Sequence, residues 1–221
     1  MVKTIECRDV VSELQGLANP RNVEGMTRYG INPKGTLGVS IPALNKIAGK
    51  IGKDHAIAIE LWATGIHEAR ILASFVEDQS LVTPEQMDRW AEDFDSWDVC
   101  DQVCSKLFDR TPYAFSKARK WSTRDEEFVK RAGFVLMAAM SVHDKKTGDG
   151  EFVKFFPLIK EGATDERNFV KKAVNWALRQ IGKRNVFLKE RAIEVAGEIV
   201  AMGGKAPRWI GRDALRELSK F

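Results

Sequence analysis

The chain has 221 residues, 44% of them hydrophobic and 30% charged, with a formal net charge of +4. That length suits one solenoid domain or at most two small ones, and the apolar fraction can support a real core. The longest apolar run, Ala132–Met140, is far too short to span a bilayer and excludes a membrane-spanning helix.

Helical periodicity is widespread and strand signals are scarce. An opening helix is expected over about residues 4–18, ending near Asn19-Pro20. The glycine- and proline-rich stretch Gly30–Pro42 is expected to be loop. A helix then reopens at Ile41-Pro42-Ala43-Leu44, with Pro42 suited to its first turn. Ala56–Thr64 and His67–Glu77 form a helix pair broken at Gly65, in which Ile71, Leu72 and Phe75 are structural. Thr83-Pro84-Glu85-Gln86 combines a cap, a proline and an acidic first turn. Asp95-Ser96 can cap a helix beginning near Trp97. Thr111-Pro112 and Thr123–Glu126 mark further starts. Lys145–Gly150 is a polar turn, and Met202–Pro207 separates the last helix, which holds Ala214, Leu215 and Leu218. The total is about eleven to thirteen helices, with no domain boundary and no low-complexity linker.

One segment occurs twice. Phe128-Val129-Lys130-Arg131-Ala132 returns 41 positions later as Phe169-Val170-Lys171-Lys172-Ala173. A period near 40 residues belongs to stacked helical pairs of the HEAT or armadillo kind. The expected fold is therefore all-α: a single α-solenoid of antiparallel HEAT-like repeats across residues 1–221. Stacks of this kind build a concave surface for a long partner. The copies differ where Arg131 matches Lys172 and Val135 matches Trp176.

Charge is unevenly distributed. Residues 167–221 hold 13 Lys+Arg against 5 Asp+Glu, net +8, whereas the preceding residues hold 22 against 26, net −4. A basic C-terminal third on an acidic body suits either an oriented polyanion site, nucleic acid first, or a solvated basic helix face. Cys7, Cys100 and Cys104 are odd in number and form no framework, which points to a reducing compartment. Cys100 and Cys104 stand at i,i+4 without a partner pair nearby, so they read as buried thiols rather than as a metal site. The opening Met1–Glu6 lacks the apolar run of a signal peptide, and cytoplasm is the expected location.

The chain shows no Gly-x-Ser-x-Gly elbow, Walker loop or dinucleotide fingerprint, so neither a triad nor a nucleotide cofactor is expected. Four groups carry other chemistry. In Ser96-Trp97-Asp98-Val99-Cys100-Asp101, a helix starting at Trp97 puts Trp97 and Asp101 one turn apart on one face. An indole beside a carboxylate suits a flat cationic ligand; alternatively the segment is a capping cluster with Trp97 in the core. Arg131 lies among apolar positions and either offers its planar fork to a phosphate or sits partly exposed at the surface. Trp176 is either a core residue or a ligand contact. Lys171, Lys172, Arg179, Lys183 and Arg184 could hold a phosphate backbone or form a solvated face.

Taken in order, Met26-Thr27-Arg28-Tyr29, Gly38–Leu44, Leu61-Trp62, His67-Glu68-Ala69-Arg70, Ser96-Trp97-Asp98 with Asp101, both repeated segments and Asp213-Ala214-Leu215 resemble bacterial DNA alkylation repair glycosylases of the AlkD type. The resemblance covers nearly the whole chain. It implies a monofunctional glycosylase that releases N3- or N7-alkylated purines from double-stranded DNA, as a monomer without metal or cofactor. Asp101 would be the catalytic carboxylate, Trp97 and Trp176 the indoles facing the damaged nucleotide, Arg131 the arginine beside its backbone, and Tyr29 a tyrosine near the same cleft. An open basic cleft without a deep base slot is implied too. Members of this family can carry a Trp-Trp doublet where Ser96-Trp97 stands here, so Ser96 is expected to open that edge. Two rivals remain at this stage: a HEAT-like nucleic-acid-binding module without catalysis, and a protein-interaction scaffold.

Overall fold

In the computed structural model, residues 5–220 are described; the expected helix start at residue 4 lies outside them. Every regular element among the described residues is helical. The contacts divide into two compact units, one up to Leu107 and one from Phe108.

The first unit contains α1 (Cys7–Gly16), α2 (Pro20–Arg28), α3 (Ile41–Ile51), α4 (His55–Ala63), α5 (His67–Val76), α6 (Pro84–Glu92) and α7 (Trp97–Lys106). Local chemistry sets most of these starts. The side chains of Asn19, Asp54 and Thr83 accept backbone N–H groups in the first turns of α2, α4 and α6. Pro20, Pro42 and Pro84 sit in first turns, where the missing N–H costs nothing. Helix α5 packs on α3, α4 and α7. Its Ala69, Leu72, Ala73 and Val76 are completely buried, each large aliphatic side chain contributing roughly 1.5–3 kcal/mol by leaving water. Trp62 and Trp90 stack with centroids 4.0 Å apart.

The second unit opens with a 3-10 turn at Phe108–Arg110. It continues through α8 (Ala114–Ser122), α9 (Glu127–His143), α10 (Asp149–Val153), α11 (Phe156–Gly162), α12 (Asn168–Gly182), α13 (Val186–Ala201) and α14 (Lys205–Leu218). The duplicated segments are the starts of α9 and α12, and these helices pack directly on each other. Their shared residues meet: Phe128 and Phe169 lie 5.5 Å apart, and Val129, Val170, Ala132 and Ala173 are buried. Helix α9 is apolar nearly all round because α8 and α12 both cover it. Gly133 permits the closest of these approaches, since a Cβ there would stand 2.4 Å from the Ser122 nitrogen.

Fourteen α-helices form among the described residues, more than the eleven to thirteen expected. The surplus comes from short elements such as α2 and α10, nine and five residues long, which span too few turns for a repeating pattern to stand out. Two expected connectors are partly helical. Asp149-Gly150 open α10, and Lys205-Ala206-Pro207 form the first turn of α14, where proline is tolerated. No helix among the described residues is long and apolar enough to cross a membrane.

Candidate functional site

In the first unit, Tyr29 stands at the start of the loop between α2 and α3, and Trp97 and Asp101 stand one turn apart on α7. Tyr29 ends α2 and is 76% exposed. Its carbonyl, left without a helical donor at the helix end, accepts the indole N–H of Trp97 at 3.1 Å. Trp97 begins α7 and is half-buried, and Asp101, also half-buried, follows one helical turn later.

Three buried polar latches hold this frame. Glu68, 1% exposed, accepts the backbone N–H groups of Leu37 at 2.8 Å, Gly38 at 2.6 Å and Val39 at 3.3 Å. Gly38 is required there: its φ is +80°, and a Cβ would stand 2.3 Å from the Asn19 carbonyl oxygen. Ser96 forms the second latch. Its hydroxyl accepts the Asn32 N–H at 2.9 Å, while the Asn32 amide donates to Asp95 at 2.8 Å. Ser96 is completely buried, so its hydroxyl does not face solvent. Nor does it cap α7 with its side chain, because the hydroxyl is committed to the loop.

The third latch joins the start of α7 to α5, through His67 Nε2 and Asp98 Oδ2 at 2.8 Å. Burial pulls the His67 pKa down. The hydrogen bond to Asp98 and the negative charges of Asp98, Glu68 and Asp95 outweigh burial, so the net shift is upward. Cys100 and Cys104 are fully buried on α7, and no cluster of three metal-binding side chains occurs among the described residues.

In the second unit, the two breaks in the repeat have different surroundings. Arg131 is only 6% exposed. Its guanidinium donates to the Phe169 carbonyl at 2.6 Å, so the first copy grips the backbone of the second. Its counterpart Lys172 is exposed. Val135 is buried, whereas its counterpart Trp176 is half-exposed and shares a helix face with Lys172.

The basic series on α12 divides by spacing. Lys171, Asn175, Arg179 and Lys183 recur every four residues along the face turned to α14. Lys171 Nζ lies 5.3 Å from the Trp209 ring centroid. The Asn175 amide donates to the Ile210 carbonyl at 3.1 Å. Arg179 pairs with Asp213 at 3.8 Å and with Glu217, and Lys183 also pairs with Glu217. Arg184 is bound differently. It donates to the carbonyls of Ser141 at 3.2 Å, Asp144, and Thr147 at 2.9 Å, and lies 4.2 Å from the Phe152 centroid. Arg179, Lys183 and Arg184 are thus engaged within the fold, whereas Lys172 is exposed and Lys171 is half-buried beside Trp209.

Sequence reasoning passed over Arg208, Trp209 and Arg212 on α14. Arg208 and Arg212 are exposed, and Trp209 is 42% exposed. The signal was present: two arginines at i,i+4 around a tryptophan in Arg208-Trp209-Ile210-Gly211-Arg212.

A family sequence model described as "DNA alkylation repair enzyme" matches residues 10–218. An uncharacterized protein of Listeria innocua serovar 6a is 25% identical over 192 residues, spanning 85% of this chain and 84% of its own. A solved structure is described as one of a new family of proteins related to the HEAT-like repeat DNA glycosylases with affinity for branched DNA structures. It matches with a TM-score of 0.78 at 24% identity, covering 88% of this chain and 83% of that one. The likeness establishes the all-α HEAT-like repeat fold.

Proposed function

The chain belongs to the DNA alkylation repair enzyme family, and from that membership we propose that it is a monofunctional DNA glycosylase hydrolysing the N-glycosidic bond of cationic N3- and N7-alkylated purines in duplex DNA. The observation that carries this reading is on α7. A half-buried carboxylate, Asp101, stands one turn after an indole that a hydrogen bond to Tyr29 holds in place.

An alkylated purine already bears positive charge, so its leaving group needs no proton and the enzyme needs no general acid. The developing charge is on the sugar. Asp101 stabilises that oxocarbenium character and orients the attacking water. At about 6 Å and an effective dielectric near 20, a carboxylate attracts a unit positive charge by roughly 3 kcal/mol. Realised only in the transition state, that is about a hundredfold in rate. Trp97 and Trp176 contact the cationic nucleotide through their faces, and Tyr29 borders it. Arg131 acts beside the sugar-phosphate backbone, with the exposed Lys172 and the half-buried Lys171 as phosphate contacts. Arg179, Lys183 and Arg184 support those contacts by fixing α12. No cofactor enters the scheme, and the protein works as a monomer without a deep base pocket.

The test is incubation with methylated duplex DNA, scoring released bases by mass. Release of 3-methyladenine or 7-methylguanine above the uncatalysed rate supports the reading; release at the uncatalysed rate contradicts it. A second reading is a non-catalytic DNA-binding module. It is favoured by the branched-DNA affinity named for the similar solved structure, and it predicts DNA binding without base release.

A further inference from the structure

We propose that the surface of α14 around Trp209 is a separate binding site for an unpaired DNA nucleotide, with the indole as stacking platform and the flanking arginines as phosphate contacts. This rests on the DNA-binding part of the reading above and not on its catalysis.

The argument starts from charge. Helix α14 carries two acids, Asp213 and Glu217. Asp213 is paired with Arg216 and Arg179, and Glu217 with Arg179 and Lys183. Arg208 and Arg212 are left without an acidic partner among the described residues, one turn apart on an exposed face. With Lys171 of α12, which reaches Trp209, they make a local excess of positive charge with no acidic partner for the two arginines among the described residues. A polyanion is the complementary partner.

The aromatic residue narrows that partner. Trp209 remains 42% exposed in the middle of this patch, in an open depression lined by Arg208, Trp209, Arg212, Asp213 and Arg216. Lys171 Nζ stands over the ring, so a cation already lies beside the exposed indole. The core side of α14 is satisfied by Ala206, Ile210, Ala214 and Leu218, all buried, so Trp209 does not owe its place to core packing. Exposed tryptophan among unpaired cations is the composition of single-strand sites, where bases stack on aromatic rings and basic groups follow the backbone. In an intact duplex the base faces are already covered by their neighbours. The chemistry therefore selects DNA with an unpaired stretch: a flap, a gap or a branch.

The experiment uses the full chain and unmodified DNA, so base release plays no part. Affinity for a duplex with a single-stranded flap is compared with affinity for a blunt duplex of equal length, by fluorescence anisotropy at fixed salt. The wild type should prefer the flap by roughly tenfold. Trp209→Ala should erase that preference while leaving blunt-duplex affinity within about twofold, and Trp209→Phe, which keeps an aromatic face, should retain most of it. Replacing Arg208 and Arg212 with Gln together should weaken both probes and lower the salt slope by about two. The proposal is overturned if the wild type shows no preference, if Trp209→Ala keeps it, or if the Ala and Phe variants lose the same amount on both probes.

Discussion

The two units hold their candidate site residues by different physics. In the first, the frame around Trp97 and Asp101 is set by buried hydrogen bonds: Glu68 to three backbone N–H groups, Ser96 to Asn32, His67 to Asp98. In the second, a ladder of partly exposed ion pairs runs beside one buried hydrogen bond, from Asn175, between α12 and α14, and α12 meets α9 through apolar side chains and the buried Arg131. Buried hydrogen bonds are costly to break, because each lost partner strands a desolvated group. Partly exposed ion pairs are weak and yield to salt. The carboxylate proposed to meet the reacting sugar thus sits on the stiffer frame, and the proposed phosphate contacts on the more adaptable one.

The contrast is sharpened first at Glu68. Glu68→Ala strands the N–H groups of Leu37, Gly38 and Val39 in the interior and should cost about 3–5 kcal/mol, read as a lower urea midpoint with an unchanged m-value. Arg131→Met should follow, at about 1.5–3 kcal/mol for a charged hydrogen bond to a backbone carbonyl. Glu217→Gln should cost no more than about 1 kcal/mol at low salt and nothing measurable in 1 M salt. A Glu217 effect that persists in 1 M salt, or a Glu68 effect that salt removes, would erase the distinction between the units.

One titrating group in each unit shows opposite dependences on pH. The folded-state pKa of His67 is raised, so its contribution is complete below the ordinary imidazole value and is lost as pH rises through the raised one. Asp165, just before α12, runs the opposite way. Burial opposes its ionisation, but hydrogen bonds from Arg167 and from Lys130 of the first repeat copy outweigh burial and bring it down to about 2. Its contribution is complete above the ordinary carboxylate value and is lost as pH falls toward about 2. Unfolding followed across pH should show the upper dependence flattened by His67→Gln and the lower one by Asp165→Asn, each without effect on the other.

The scaffold was largely legible in the sequence. The 41-residue recurrence identified α9 and α12, and the shared Phe, Val and Ala positions are where the two helices touch. First-turn prolines located the starts of α3 and α6 to within a residue. What stayed hidden was pairing across distance. Nothing local to Ser96 reveals that its hydroxyl answers Asn32, 64 positions away. Likewise the fate of Arg179 and Lys183 depends on acids at 213 and 217, so a basic series read by itself overstates the charge left for a ligand. Trp209 was legible in pattern but unremarked, because its significance depends on which neighbouring charges are already paired.

The central claim is that Asp101 does the chemistry while the surrounding residues bind. Its most direct test compares wild type and Asp101→Asn on the same methylated duplex, measuring released base and DNA affinity side by side. The account predicts that base release falls by about a hundredfold or more while affinity stays within about twofold. Undiminished release by Asp101→Asn would contradict it.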